Sequence, residues 1–150
     1  MDTISIRLAA HEDSAAIANV FTLSRKTMTF LPALHTASED REFIANCVLV
    51  EKTVHVAILN DEIVGFIAFG DGWVDHLYVA PNHTAKQIGT LLLQSLLADA
   101  PSLRLWTFQK NDGARRFYER FGFIVEAETD GADNEEKEPD ILYVWHRQAS

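Results

Sequence analysis

Apolar and polar side chains alternate from Ile4 to Leu8, with Ile4, Ile6 and Leu8 on one face, and this predicts a strand. The period then changes. Glu12 and Asp13 open a helical pattern that carries Ala16, Ile17, Val20, Phe21 and Leu23. Acids in a first turn suit the positive end of a helix dipole. Thr29 to Thr36 is irregular and broken by Pro32. Ser38-Glu39-Asp40-Arg41-Glu42 predicts a capped helix start, with Phe43, Ile44, Val48 and Leu49 as its apolar side.

Thr53 to Leu59 and Glu62 to Phe69 are β-rich runs, joined at Asn60-Asp61 by a predicted tight hairpin. Trp73 to Val79 is a third run, ending before Pro81. Thr84 to Ala98 predicts the strongest helix, with Ile88, Leu91, Leu92, Leu96 and Leu97 at helical spacing and Pro101 beyond it. Leu103 to Phe108 reads as a strand. Asn111 to Phe121 reads as a helix, with Asn111 as N-cap and Gly122 as its stop. Phe123 to Glu128 and Ile141 to His146 are two last strands around a polar loop. The order βαα-βββ-α-β-α-ββ predicts one α/β (α+β) domain over residues 1–150. Three strands in succession make part of its sheet antiparallel, so the sheet is mixed, with helices packed on it.

Composition narrows the classes. The 150 residues are 47% hydrophobic and 23% charged, which suits one folded domain rather than a disordered chain. The net charge of −9 argues against a nucleic-acid partner and against an anionic membrane surface. No apolar run approaches the ~20 residues of a membrane span, and no signal peptide is visible, so the expected location is cytoplasmic. The one cysteine, Cys47, lies in an apolar stretch and reads as a buried small hydrophobe. The six histidines show no helical i, i+4 pairing, and no metal site is expected.

Two segments carry the chemistry. The first runs from Trp73 through Val79, Ala80 and Pro81 into Ala85-Lys86-Gln87-Ile88-Gly89-Thr90. The second is Asn111-Asp112-Gly113-Ala114-Arg115-Arg116-Phe117-Tyr118-Glu119-Arg120-Phe121-Gly122-Phe123. Together, a strand, a Pro-ended loop, a helix and then Asn-x-x-Ala-x-x-Phe-Tyr-Glu-x-x-Gly-Phe resemble the GNAT superfamily of acyl-CoA-dependent N-acetyltransferases. The element order matches that fold from end to end. The resemblance implies a central, mixed, mostly antiparallel sheet of about seven strands, with about four helices on its two faces.

It also implies site residues. A helix N-terminus presents unpaired N–H groups that bind a pyrophosphate. The acetyl-CoA site then covers Thr84, Ala85, Lys86, Gln87, Ile88, Gly89 and Thr90. The family loop usually reads Gln/Arg-x-x-Gly-x-Gly/Ala, and here Thr84 and Gln87 replace its leading residue and first glycine. A bulge expected at Leu77, Tyr78 and Val79 would free main-chain groups for the pantetheine arm and the thioester oxygen. Asn111, Ala114, Phe117 and Tyr118 complete the cofactor set; Asn111 is either a pantetheine contact or only a helix cap.

By the same resemblance Tyr118 protonates the departing thiolate. Its alternative is the apolar helix face of Ala114, Phe117, Tyr118 and Phe121. Asp75, His76 and His35 are open alternatives for a general base, each of them also readable as structural. His76 is expected to face away from Asp75 and Leu77. On the acceptor side stand His35, Trp73, Asp75, Glu135 and Glu136. Six of the 22 acids fall between Thr129 and Asp140, and this loop is either the mouth of an acceptor cleft or a solvated hairpin.

The expected activity is transfer of an acetyl group from acetyl-CoA to a primary amine of a small molecule by direct attack. An acyl-CoA-binding sensor without turnover and a protein lysine or N-terminal acetyltransferase are the alternatives. A homodimer is compatible with the resemblance, although no interface is specified.

Overall fold

In the computed structural model, which describes residues 3–97 and 100–147, these patterns become seven strands and four helices among the described residues. Strand β1 (Ile4–Leu8) precedes helix α1 (Ser14–Lys26). Helix α2 (Ala37–Phe43) continues through a π-helical segment, Ile44–Val48, and a last turn, Leu49–Glu51. Strands β2 (Thr53–Leu59), β3 (Glu62–Gly70) and β4 (Trp73–Val79) follow. A 3-10 segment, Pro81–Lys86, leads into α3 (Ile88–Leu97). Then come β5 (Ser102–Phe108), α4 (Asp112–Phe121), β6 (Ile124–Thr129) and β7 (Asp140–His146).

The strands form one sheet in the order β1-β2-β3-β4-β5-β7-β6. Every neighbouring pair is antiparallel except β4 and β5. The mixed, mostly antiparallel sheet expected from the sequence is thus present. Helices cover it in two layers. On one face Ile17, Val20 and Phe21 of α1, with Ile44 and Val48, pack on Val54, Val56, Phe66 and Ala68. On the other, Ile88, Leu92 and Leu93 of α3, with Tyr118 of α4, pack on Ile67, Val74, Leu105 and Tyr143. Burying both faces of the sheet supplies the main driving force for the fold.

Local rules explain the element ends. Asn60 and Asp61 both take positive φ, 52° and 66°, as a type I′ turn requires at its two central residues. Gly122 stops α4 at φ 111°, in the left-handed region that glycine tolerates. Two boundaries differ from expectation. The N-cap of α2 is Thr36: its hydroxyl accepts from Glu39 N at 3.1 Å, and Glu39 Oε1 accepts from Thr36 N at 2.9 Å. A capping box at Thr36 and Glu39 satisfies two end donors, which starts the helix ahead of Ser38. The third helix begins at Ile88 rather than Thr84, because Pro81 opens a 3-10 segment and Gln87 takes φ 61°, which α-helix excludes.

Candidate functional site

The sheet opens at β4 and β5. Their ladder holds a single register pair, Trp73 with Arg104, reinforced by Arg104 N donating to Gly72 O at 2.9 Å. Beyond it the two parallel strands diverge, and a groove of about 90 Å³ lies between them. Val74, Asp75, Leu77 and Tyr78 wall it on one side, and Leu105, Thr107 and Phe108 on the other. Asn111, Ala114 and Tyr118 close it from α4.

The β4 bulge sits at Asp75 and not at Leu77 to Val79. His76 pairs with Ala68 and Val74 with Phe69, so Asp75 is the residue without a register partner on β3. A bulge shifts side-chain parity by one. Val74 and Leu77 therefore both join the α3 side of the core, while His76 and Tyr78 turn towards α1. His76 and Leu77 lie on opposite faces, as expected. Val79 O accepts from Ser24 Oγ of α1 at 2.9 Å, so that carbonyl of the expected cofactor set is already engaged.

Tyr118 presents its ring to Phe117, Phe123 and Tyr143, with centroids 5.2, 5.5 and 6.1 Å away. It is at once part of the core and a wall of the groove. Burial, with the Tyr78 phenol adding to it, pushes its phenol far above the usual tyrosine range. The hydroxyl stays protonated at any physiological pH and is available as a donor. Asn111 caps α4, accepting from Ala114 N at 3.2 Å, while its Nδ2 donates to Met28 Sδ at 3.7 Å. Phe117 packs against the place of Gly89, where an added Cβ would stand 3.5 Å from its ring. Its role on α4 is to seat α3.

The loop before α3 departs from the pattern that the sequence resemblance implies, and the backbone gives that departure a physical meaning. Gln87, at the position where the resemblance implies a glycine, sits at φ 61°. A side chain there costs roughly 1 kcal/mol, because Cβ crowds the following carbonyl. Thr84 and Gln87 are exposed, Ile88 is fully buried, and Gly89 and Thr90 are half-buried. The side chains of Ala85 and Lys86 lie outside the described residues.

A larger cleft of about 830 Å³ lies on the α1 side. The end of α1, the 29–36 segment, α2 and the loop between β6 and β7 surround it. That loop is folded tightly. Gly131 takes φ 81° with the Glu138 backbone where a Cβ would stand, and Asn134 Nδ2 donates to Glu138 O at 2.8 Å and to Asp140 Oδ2 at 3.2 Å. The fold aims Glu135 and Glu136 inwards. Glu136 Oε2 accepts from Arg25 Nη2 at 2.9 Å, and Glu135 Oε1 stands 2.5 Å from His35 Nε2. Five carboxylates, Glu39, Asp40, Glu42, Glu135 and Glu136, line the cleft against two cations, Arg25 and Lys26. The acidic loop is thus a cleft wall.

His35, Glu135, Glu136 and His76 all line this cleft. Trp73 does not; it opens β4 at the one residue pair that still joins β4 to β5, before the strands part, and lines neither cavity. Asp75 lines the groove instead, with its Oδ2 3.3 Å from Lys52 Nζ. Cys47, expected to be buried, is half-buried and lines the cleft, where the π-helical segment delivers it.

His76 borders both cavities. It is edge-on to Phe21 and Phe43, each with centroids 5.7 Å away. Burial lowers its pKa from 6.5 to about 4; Asp75 opposes that shift, and Arg25 and Lys52 add to it. Its imidazole is neutral at pH 7.

Sequence reasoning missed Ser24, Arg25 and Met28. Arg25 packs over the Phe21 ring at 5.5 Å, pairs with Glu136 and reaches Tyr78 Oη at 3.5 Å. An arginine in the last turn of an amphipathic helix has an ordinary structural reading, so nothing in its spacing announces it. Among the described residues no cluster of three or more His, Cys, Asp or Glu is arranged to hold a metal, and no helix is long and apolar enough to cross a membrane.

Comparison with known proteins adds an independent line. Residues 18–123 match the model of the acetyltransferase (GNAT) family. The chain is 30% identical over 124 residues to a Salmonella typhimurium protein named peptidyl-lysine N-acetyltransferase YjaB, covering 81% of this chain and 84% of that one. It is 35% identical over 75 residues to the Escherichia coli uncharacterized N-acetyltransferase YafP; that match covers 50% of this chain and about half, 48%, of the relative. Among solved structures, apo YjaB from Escherichia coli superposes with a TM-score of 0.78 at 26% identity, covering 95% of this chain and 97% of the other.

Proposed function

The chain belongs to the acetyltransferase (GNAT) family, and we propose that it transfers an acetyl group from acetyl-CoA to a primary amine that arrives as a cation. One observation carries this reading. The groove between β4 and β5 meets a cleft lined by five carboxylates and two cations, and His76 lies where they join. The groove suits the pantetheine arm, because β4 beyond Trp73 has no ladder partner on its β5 side. The acetyl-CoA supplies an activated thioester. The cleft supplies carboxylates that attract an ammonium group and hold it near that thioester.

The chain's residues divide the work. Main chain at Leu77 and Tyr78 supports the negative charge that develops on the thioester oxygen. As the amine nitrogen forms its bond to the acyl carbon, the carbon–sulfur bond breaks and its electron pair goes to sulfur. Tyr118 donates a proton there and is re-protonated from solvent. His76 accepts a hydrogen bond from the attacking amine and orients its lone pair. A base of pKa about 4 does not hold the proton of an alkylammonium with an ordinary value of ~10.4, so that proton leaves through water. Asp75 is engaged by Lys52 and steadies the bulge.

For the acceptor, two straps favour a small amine. His35–Glu135 and Arg25–Glu136 roof the cleft and limit access by an extended chain. A lysine side chain of a peptide is the second reading, favoured by the name of the YjaB relative. Thiol release from acetyl-CoA, measured with diamines, amino sugars and short lysine peptides, tests both. Turnover with small cationic amines and none with peptides supports the first reading, and the reverse supports the second. No thiol release with any of them overturns the transfer reading.

A further inference from the structure

The proposed reaction leaves acyl-chain length open, and one side chain at the meeting of groove and cleft bears on it. Met28 follows the last turn of α1, where its N–H donates to Arg25 O at 3.0 Å. Among the described residues Met28 and His76 are the two that border both cavities. They differ in chemistry. His76 is a polar ring set between Phe21 and Phe43. Met28 is a flexible thioether, held at its sulfur by Asn111 Nδ2 at 3.7 Å. That contact ties the end of α1 to the N-cap of α4 across the end of the groove.

An acyl thioester in this groove has two ends with different needs. Its carbonyl oxygen seeks donors, which the β4 main chain offers. Its acyl tail has no polar atom and turns to an apolar wall. Met28 and Phe108 offer such apolar surface in the groove lining. Met28 stands where the groove, about 90 Å³, adjoins the cleft, so a straight chain that lengthens beyond acetyl meets its side chain first. We propose that Met28 sets the acyl-chain length, admitting acetyl and excluding longer straight chains. This rests on acyl-CoA binding in the groove, as the proposed function does.

The test is calorimetric titration of acetyl-CoA and butyryl-CoA into the wild-type chain and its variants, with thiol release read in parallel in the presence of an accepted amine. The wild type binds butyryl-CoA about tenfold more weakly than acetyl-CoA, a discrimination ordinary for extra methylenes against an apolar wall. Met28→Ala brings the two affinities within about twofold. Met28→Leu, close in volume, keeps the wild-type preference. Met28→Val moves the ratio part of the way and stands in should the alanine variant not fold. Equal affinities in the wild type, or an unchanged ratio in both truncations, overturn the proposal. The expected affinity pattern without thiol release upholds it and overturns the transfer reading instead. Binding of neither thioester overturns both.

Discussion

His35 Nε2 and Glu135 Oε1 stand 2.5 Å apart across the mouth of the cleft, although 100 positions separate them in the chain. Beside them Arg25 and Glu136 form a second strap, at 2.9 Å. Both acids belong to the field that draws a cation into the cleft. The double variant Glu135→Gln, Glu136→Gln raises KM for a cationic amine roughly three- to tenfold, the size expected of two partly exposed charges. Its acetyl-CoA affinity stays unchanged. Steady-state kinetics at two salt concentrations check this, because the difference from wild type shrinks as salt screens the field. An equal loss of acetyl-CoA affinity would show that the loop supports the fold rather than the acceptor.

Tyr118→Phe keeps the ring that packs on Phe123 and Tyr143 and removes the proton donor. It lowers kcat by about 10²-fold or more, the usual range for a lost general acid. Acetyl-CoA affinity and thermal midpoint stay near those of the wild type. If kcat survives within about threefold at neutral pH, the thiolate leaves without this proton and Tyr118 is core alone.

Gln87→Gly relieves a left-handed residue at φ 61° and uncovers the main chain before α3. The stability gain is at most about 1 kcal/mol, because glycine loses more backbone entropy on folding. Acetyl-CoA affinity rises several-fold if the side chain crowds the pyrophosphate. Gln87→Val, β-branched at positive φ, loses stability. Paired melting and calorimetry separate backbone strain from ligand access. Weaker binding by the glycine variant would mean that the Gln87 amide is itself a ligand contact.

His76 makes folding stability fall with acid in a defined window. Its pKa is about 4 in the folded chain and 6.5 as the ordinary value. Above pH 6.5 both states are neutral there and the group contributes no pH dependence. As pH drops from 6.5 to 4 the unfolded chain takes up the proton and the folded chain does not, so stability falls. Below 4 the effect levels off. His76→Gln is the comparison: urea unfolding at pH 7 and pH 4.5 shows the wild type losing ~2 kcal/mol more than the variant. Equal losses would mean that the imidazole is hydrated in the folded state.

Most elements were legible because their signals are local. Alternation set out β1, β-rich runs marked β2 to β4, helical spacing marked the apolar face of α3, and Asn111 and Gly122 bounded α4. The errors fell where a competing local device took over. The capping box at Thr36 moved the start of α2, and Pro81 with Gln87 delayed the start of α3. The bulge at Asp75 was misplaced for another reason. A register shift belongs to the pairing of two strands, and no pattern within one of them reports it.

The sequence by itself determined the layered α/β plan, the place of Tyr118 on α4, and the concentration of acid between Thr129 and Asp140. Periodicity, caps and charge runs are read within a few turns of chain, and each was there to read. Only the tertiary structure decided that β4 and β5 part after Trp73 and Arg104, and that Arg25, Met28 and Ser24 of α1 and its end face the site. It also decided that the acidic loop folds back on His35 and Arg25. Those relationships join residues from about 30 to more than 100 positions apart. Such contacts arise from burying helices on two faces of a split sheet, and no local preference encodes them.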